Sequence, residues 1–234
     1  MKKIIAKDYE DMSQQAAKFM IDFIKNNYSS SKINIAITAG KTPIRMYEIL
    51  SEKYKDILQN NKIKYFNFDE LPYKNDLSKG LVSEELNNIF LNKININLES
   101  FYHLNALNYK NHDKYIESIG GIDLVVLGLG EDGHFCGNLP GVTTFDDWTV
   151  SVNLNKKDAI NFYKNEEDIP NFYITMGPRS IMSVKNILLI VNGKHKQKAV
   201  ENLLKLELDR NFPASILMLH PNLTLIIDDD ADIK

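Results

Sequence analysis

Ile122-Asp123-Leu124-Val125-Val126-Leu127 runs directly into Gly128-Leu129-Gly130-Glu131-Asp132-Gly133-His134, and this junction decides the fold. Five of the six residues in the first stretch are apolar and two are valines, the pattern of a strand buried on both faces of a parallel sheet. The glycines that follow let the backbone turn sharply at the strand's carboxyl end. In an open α/β sheet, ligands bind at that end. Here it carries a carboxylate and an imidazole one glycine apart. Asp132 can orient His134 and stabilise its imidazolium, which makes His134 a proton-transfer group. In an isolated surface loop the same tripeptide reads as a turn; after a hydrophobic strand it reads as a site.

Working outward, three other strands end in polar residues of the same kind. Ile33-Asn34-Ile35-Ala36-Ile37 leads into Thr38-Ala39-Gly40-Lys41-Thr42-Pro43, with Pro43 suited to the first turn of the next helix. A strand, a small-residue loop and a helix N-terminus make an anion site, so Ala39, Gly40, Lys41 and Thr42 are expected to hold a phosphate. The upstream glycine of a Walker loop is missing at the required spacing. Ile63-Lys64-Tyr65-Phe66-Asn67-Phe68 ends in Asp69-Glu70-Leu71-Pro72, two adjacent carboxylates that taken alone read as solvated loop charge. Ile187-Leu188-Leu189-Ile190-Val191 is followed by Asn192-Gly193 and then Lys194, His195, Lys196 and Lys198 at a helix start. Lysines normally favour the other end of a helix, so this cluster points to a bound anion.

The remaining elements frame these four. Ile4-Ile5-Ala6 reads as a short edge strand, and Asp8 begins a helix with Met12, Ala16, Phe19, Met20, Phe23 and Ile24 on one face. Phe101-Tyr102-His103-Leu104, Tyr173-Ile174-Thr175-Met176 and Leu223-Thr224-Leu225-Ile226-Ile227 read as further strands, and a short helix starts at Pro213-Ala214-Ser215. No repeat or linker interrupts the pattern, so residues 1–234 are expected to form one domain. Its class is α/β, doubly wound and Rossmann-like, with a mostly parallel sheet and helices on both faces.

Composition narrows the function. A net charge of −3 gives no reason to expect nucleic acid or a polybasic membrane contact. No stretch approaches a transmembrane helix, and Met1-Lys2-Lys3-Ile4-Ile5-Ala6-Lys7-Asp8 does not read as a secretory leader. A single cysteine, Cys136, excludes an intrachain disulfide framework and suits a reducing, cytoplasmic setting. His103 and His112 lack partners at metal-ligand spacing and read as structural or exposed. Neither a metal nor a dinucleotide cofactor is expected.

Taken together, five motifs resemble the ordered signatures of the glucosamine-6-phosphate deaminase/6-phosphogluconolactonase family. They are Thr38-Ala39-Gly40-Lys41-Thr42-Pro43, Phe68-Asp69-Glu70, Leu127-Gly128-Leu129-Gly130-Glu131-Asp132-Gly133-His134, Tyr173-Ile174-Thr175-Met176-Gly177 and Gly193-Lys194-His195-Lys196. The resemblance spans about 33–227, and five collinear motifs are far more specific than one. Pro213-Ala214-Ser215-Ile216-Leu217-Met218-Leu219-His220-Pro221 resembles the deaminase branch, and Asp132-Gly133-His134-Phe135-Cys136-Gly137-Asn138-Leu139-Pro140 is similar to a subgroup of bacterial deaminase-like sugar-phosphate isomerases.

The resemblance implies an enzyme of amino-sugar 6-phosphates that opens the ring, isomerises aldose to ketose and releases ammonia. By it, Asp69 moves the C2 proton, His134 held by Asp132 serves the ring oxygen, and Ala39, Gly40, Lys41, Thr42 and Lys196 hold the substrate. No redox cofactor is needed for proton transfer beside a carbonyl. Two departures stand out. Leu139 occupies the place of a deaminase glutamate that completes the ring-opening group, and 161–171 lacks the deaminases' phosphate-binding arginine, leaving Arg179 or Lys41 to compensate. Without that glutamate, the expectation is slow turnover of glucosamine 6-phosphate or preference for a substrate that needs less help in ring opening. Three alternatives stay open: lactone hydrolysis with His134 activating water, isomerisation without ammonia release, and a sugar-phosphate sensor without turnover.

Overall fold

The computed structural model describes residues 1–29 and 32–233; residues 30, 31 and 234 of the expected domain lie outside the described residues. The strands in chain order are β1 (Lys2–Ala6), β2 (Ile33–Ala36), β3 (Ile63–Phe66), β4 (Asp69–Glu70), β5 (Pro72–Tyr73), β6 (Asp76–Gly80), β7 (Phe101–Tyr102), β8 (Leu124–Gly128), β9 (Val150–Asn153), β10 (Phe172–Thr175), β11 (Ile187–Val191) and β12 (Leu223–Asp228). Seven of them form one sheet in the order β1-β12-β11-β8-β2-β3-β7, and every pairing in it is parallel.

The apolar runs explain this sheet. All five residues of β11 and the first four of β8 are buried, as strands covered on both faces must be. Alternate residues serve opposite layers. Leu124 and Val126 of β8 pack with Met12, Ala16, Met20 and Ile24 of the helix Tyr9–Asn26 and with Met46 and Leu50 of the helix Ile44–Lys53. Val125 and Leu127 pack on the other side with Ile181, Ala199, Val200 and Leu203. Each such burial is worth about 1.5–3 kcal/mol, so a one-residue slip of β8 would exchange its two faces. The first long helix starts where Asp8 accepts the Asp11 N–H at 2.8 Å, a side-chain N-cap.

Chain order reverses between β8 and β2. From β2 the strands proceed to β3 and β7 in one direction, and from β8 to β11 and β12 in the other. Connections leaving the adjacent carboxyl ends of β2 and β8 therefore diverge and leave a crevice, the position at which doubly wound sheets bind ligands. Asn34 pins this junction: its backbone N–H donates to Asp123 Oδ2 at 2.7 Å and its side chain to the Gly121 carbonyl at 2.7 Å.

Two smaller sheets lie outside the parallel one. The expected strand around Tyr173 forms as β10, but it pairs antiparallel with β4 and β9. Asp76–Gly80 is the return strand of the β5–β6 hairpin. The strand expected at Phe101 is two residues long, and the segment from Pro213 is a 3-10 helix ending at Leu219. Among the described residues, no helix is long and apolar enough to cross a membrane.

Candidate active site

A cavity of about 1070 Å³ opens at the carboxyl ends of β2, β3 and β8. Asp69, His134, Ala39, Gly40, Lys41, Thr42 and Lys196 all line it, so residues up to 157 positions apart in sequence are brought to one space. Asp132 stands behind His134 and accepts from its ring Nδ1 at 2.6 Å and from its backbone N–H at 3.1 Å. A carboxylate can only accept, so Nδ1 carries the hydrogen and Nε2 is the ring nitrogen left for chemistry.

Two of the loop's three glycines, Gly130 and Gly133, are sterically required. A Cβ on Gly130 would lie 2.2 Å from His134 Nδ1, and one on Gly133, whose φ is +86°, would lie 2.2 Å from the Phe212 ring. The Gly130 N–H donates to the His134 carbonyl at 2.8 Å and closes the turn. This stretch also has the Gly-x-Gly-x-x-Gly spacing of dinucleotide loops. No helix follows it, however, so the N-terminus that would receive a pyrophosphate is absent there. Beyond the turn, the Gly137 N–H donates to Thr175 Oγ1 at 2.9 Å and the Tyr173 hydroxyl to the Gly137 carbonyl at 2.7 Å, tying the loop to β10.

Asp69 leaves β3 and enters the small antiparallel sheet opposite Thr175. Burial, then the charges of Glu70 and Glu85, push its carboxyl up to about 7. That value suits a group that must both take and return a proton near neutrality. For Asp132, burial is the largest single influence and acts upward, but the His134 backbone N–H and imidazole together hold it below its ordinary value. The two carboxylates are thus pushed apart, a signature of divided acid–base roles. Burial lowers Lys196, opposed by the charges of Glu131 and Asp132.

Some expectations need correcting. Glu70 is not solvated loop charge: it is 1% exposed and accepts hydrogen bonds from Leu71, Val82, Ser83 and His103. The anion loop is less open than its sequence suggests, because the Gly40 N–H already donates to Glu85 Oε1 at 3.1 Å. Arg179 is not among the cavity-lining residues; its guanidinium lies 4.8 Å from the Trp148 ring centroid. The segment 161–171 does contribute a cation, Lys164, alongside Phe162 and Asn165. Lys164 lacked any local signal, being one lysine in an acidic and aromatic stretch. Glu85, one acidic residue in Ser83-Glu84-Glu85-Leu86, was equally silent. His112 is buried with neither ring nitrogen hydrogen-bonded, and burial lowers it to about 4. Among the described residues no cluster of side chains could hold a metal ion.

Comparison with known proteins follows the same lines. A family model described as glucosamine-6-phosphate isomerases/6-phosphogluconolactonase matches residues 7–226. A glucosamine-6-phosphate deaminase of Clostridium novyi is 34% identical, covering 100% of both chains. One from Thermoanaerobacter pseudethanolicus is 36% identical over 99% of this chain and 94% of its own. A solved structure of a monomeric glucosamine-6-phosphate deaminase superposes with a TM-score of 0.85 at 29% identity, covering 99% of this chain and 98% of that one. The 6-phosphogluconolactonase of Trypanosoma cruzi shares the fold at 17% identity and a TM-score of 0.78, over 98% and 95% of the two chains.

The Asp69 environment has a consequence for stability. A carboxyl raised from 3.8 to about 7 on folding binds its proton more tightly in the native state. Over that window the native protein holds more protons than the unfolded chain, so stability falls as pH rises. Asp69→Asn removes the titration. In denaturant melts, the variant should gain stability relative to wild type between pH 4 and 7 and hold a constant difference above that; a pH-independent difference contradicts the assignment.

Proposed function

The chain belongs to the glucosamine-6-phosphate isomerase/6-phosphogluconolactonase family, and on that premise we propose that it is an enzyme converting glucosamine 6-phosphate and water to fructose 6-phosphate and ammonia. The supporting observation is the convergence of Asp69, His134, Lys196 and residues 39–42 on one cavity. His134, with Nδ1 committed to Asp132, moves a proton at the ring oxygen through Nε2. Asp69 takes the proton from C2 of the open-chain sugar and returns it at C1. The resulting imine at C2 is hydrolysed by water, which leaves the ketose and releases the nitrogen as ammonia. Lys196 and Lys164 meet the phosphate with charge-assisted hydrogen bonds.

The lining also contains Asp69, Glu70, Glu84, Glu85, Glu131 and Asp168, so each lysine works against a carboxylate background. A cytoplasmic setting and a small phosphorylated-sugar partner belong to the same reading. Lactone hydrolysis, with His134 activating water, is the second reading, and Leu139 is the observation in its favour.

Incubation with glucosamine 6-phosphate should release ammonia and fructose 6-phosphate in equal amounts, followed by NMR. Lys196→Ala should raise the Kd for either sugar phosphate by roughly 10- to 100-fold, the worth of one hydrogen bond to a charged group. Hydrolysis of a lactone 6-phosphate with no amino-sugar turnover supports the second reading instead.

Leu139 lines the cavity and is 37% exposed, so a carboxylate placed there keeps contact with water. Leu139→Glu should therefore fold and raise kcat on glucosamine 6-phosphate, by at least about 10-fold if it restores part of a proton-transfer group. A properly folded variant with unchanged kcat removes Leu139 as the cause of slow ring opening.

A further inference from the structure

Glu70 has a partner that neither the sequence pattern nor the proposed reaction requires. Its Oε1 accepts the backbone N–H groups of Leu71 at 3.0 Å and Val82 at 2.8 Å. Its Oε2 accepts from the Ser83 N–H at 3.1 Å, from Asn67 Nδ2 at 3.4 Å and from His103 Nε2 at 2.7 Å. A Cβ on Gly80 would sit 2.2 Å from Oε1, so the carboxylate packs directly against the Gly80 backbone. Asn67 also donates to the Asp69 carbonyl at 3.0 Å, which joins the setting of Glu70 to the backbone of Asp69.

Two carboxylates on consecutive residues, one buried and one half-buried, repel each other across little water. Among the described residues, no lysine or arginine forms an ion pair with either. Glu85, Cys136 and Tyr173 interact with Asp69, and Tyr73 and Tyr163 with Glu70; none of these can bring a positive charge. His103 can. Its side chain stacks parallel to Phe101 with centroids 6.1 Å apart and keeps 23% of its surface exposed, so solvent reaches the ring while Nε2 stays on Glu70.

We propose that His103 is a positioning residue that supplies the counter-charge to Glu70 and thereby keeps Asp69 ionisable in its working range. As far as turnover is concerned, this rests on Asp69 being the base of the proposed reaction. The direction follows from Coulomb's law: an imidazolium on Glu70 cancels part of the field that opposes ionisation of Asp69, and its removal restores that field. His103→Gln keeps an N–H donor without the charge, and His103→Phe keeps the stack on Phe101 without either.

The test is a carboxyl titration by ¹³C NMR of the full chain labelled at aspartate, with Asp69→Asn used to assign the resonance. In His103→Gln and His103→Phe the Asp69 midpoint should rise by about half a pH unit or more. The acid limb of kcat/KM on glucosamine 6-phosphate should move with it, at unchanged KM. An unmoved midpoint in both variants, with only Tm reduced, makes His103 a packing residue and overturns the proposal. The titration needs no substrate: if the wild type does not turn over glucosamine 6-phosphate, the proposed reaction fails while the midpoints still decide the role of His103.

Discussion

The parallel pairing of β2 with β8 is the constraint on which the rest depends. The two strands meet over a short register, Ile35 with Leu124 and Ala36 with Val125, and the chain leaves them in opposite directions across the sheet. Because β8 is buried on both faces, it cannot shift without exchanging Leu124 and Val126 for Val125 and Leu127 against two different helical layers. Its carboxyl end is therefore fixed, and with it the tight turn that sets His134 against Asp132. β3 lies beside β2 on the other side and delivers Asp69 to the same edge.

What fills that edge is electrostatically unusual for a site meant to take a phosphate. Carboxylates outnumber lysines along the cavity, and one of them, Glu85, holds the Gly40 N–H that an anion would otherwise use. A phosphorylated ligand must displace Glu85 from Gly40 or bind without that donor. The same crowding has a chemical use. Burial together with Glu70 and Glu85 raises Asp69 to about 7, whereas Asp132, held by His134, goes the other way. In the proposed reaction, a carboxylate that recovers its proton easily and an imidazole of fixed orientation serve the aldose–ketose proton shift.

The strands of the parallel sheet and the loops ending β2, β3, β8 and β11 were legible because they follow short-range rules: apolar runs, glycine turns and polar residues at strand ends. Five motifs in the right order then carried the family resemblance. The pairing of β10 was not legible, since Tyr173-Ile174-Thr175-Met176 reads the same in a parallel or an antiparallel sheet. Nor was the burial of Glu70, which depends on helix N–H groups 12 and 13 residues away and on His103, 33 residues away. Lys164 and Glu85 enter the cavity through tertiary packing alone. Leu139 was legible as a departure but not as a cavity residue; its exposure there came only with the fold.

Proton movement on carbon tests the central claim most directly. In D2O with glucosamine 6-phosphate, the wild type should yield fructose 6-phosphate carrying deuterium at C1, resolved by NMR. Asp69→Asn should bind the sugar phosphate but give neither product nor exchange. Turnover of a lactone substrate with no deuterium on any carbon, and with Asp69→Asn nearly as active as wild type, would contradict the role of Asp69 and the reaction built on it.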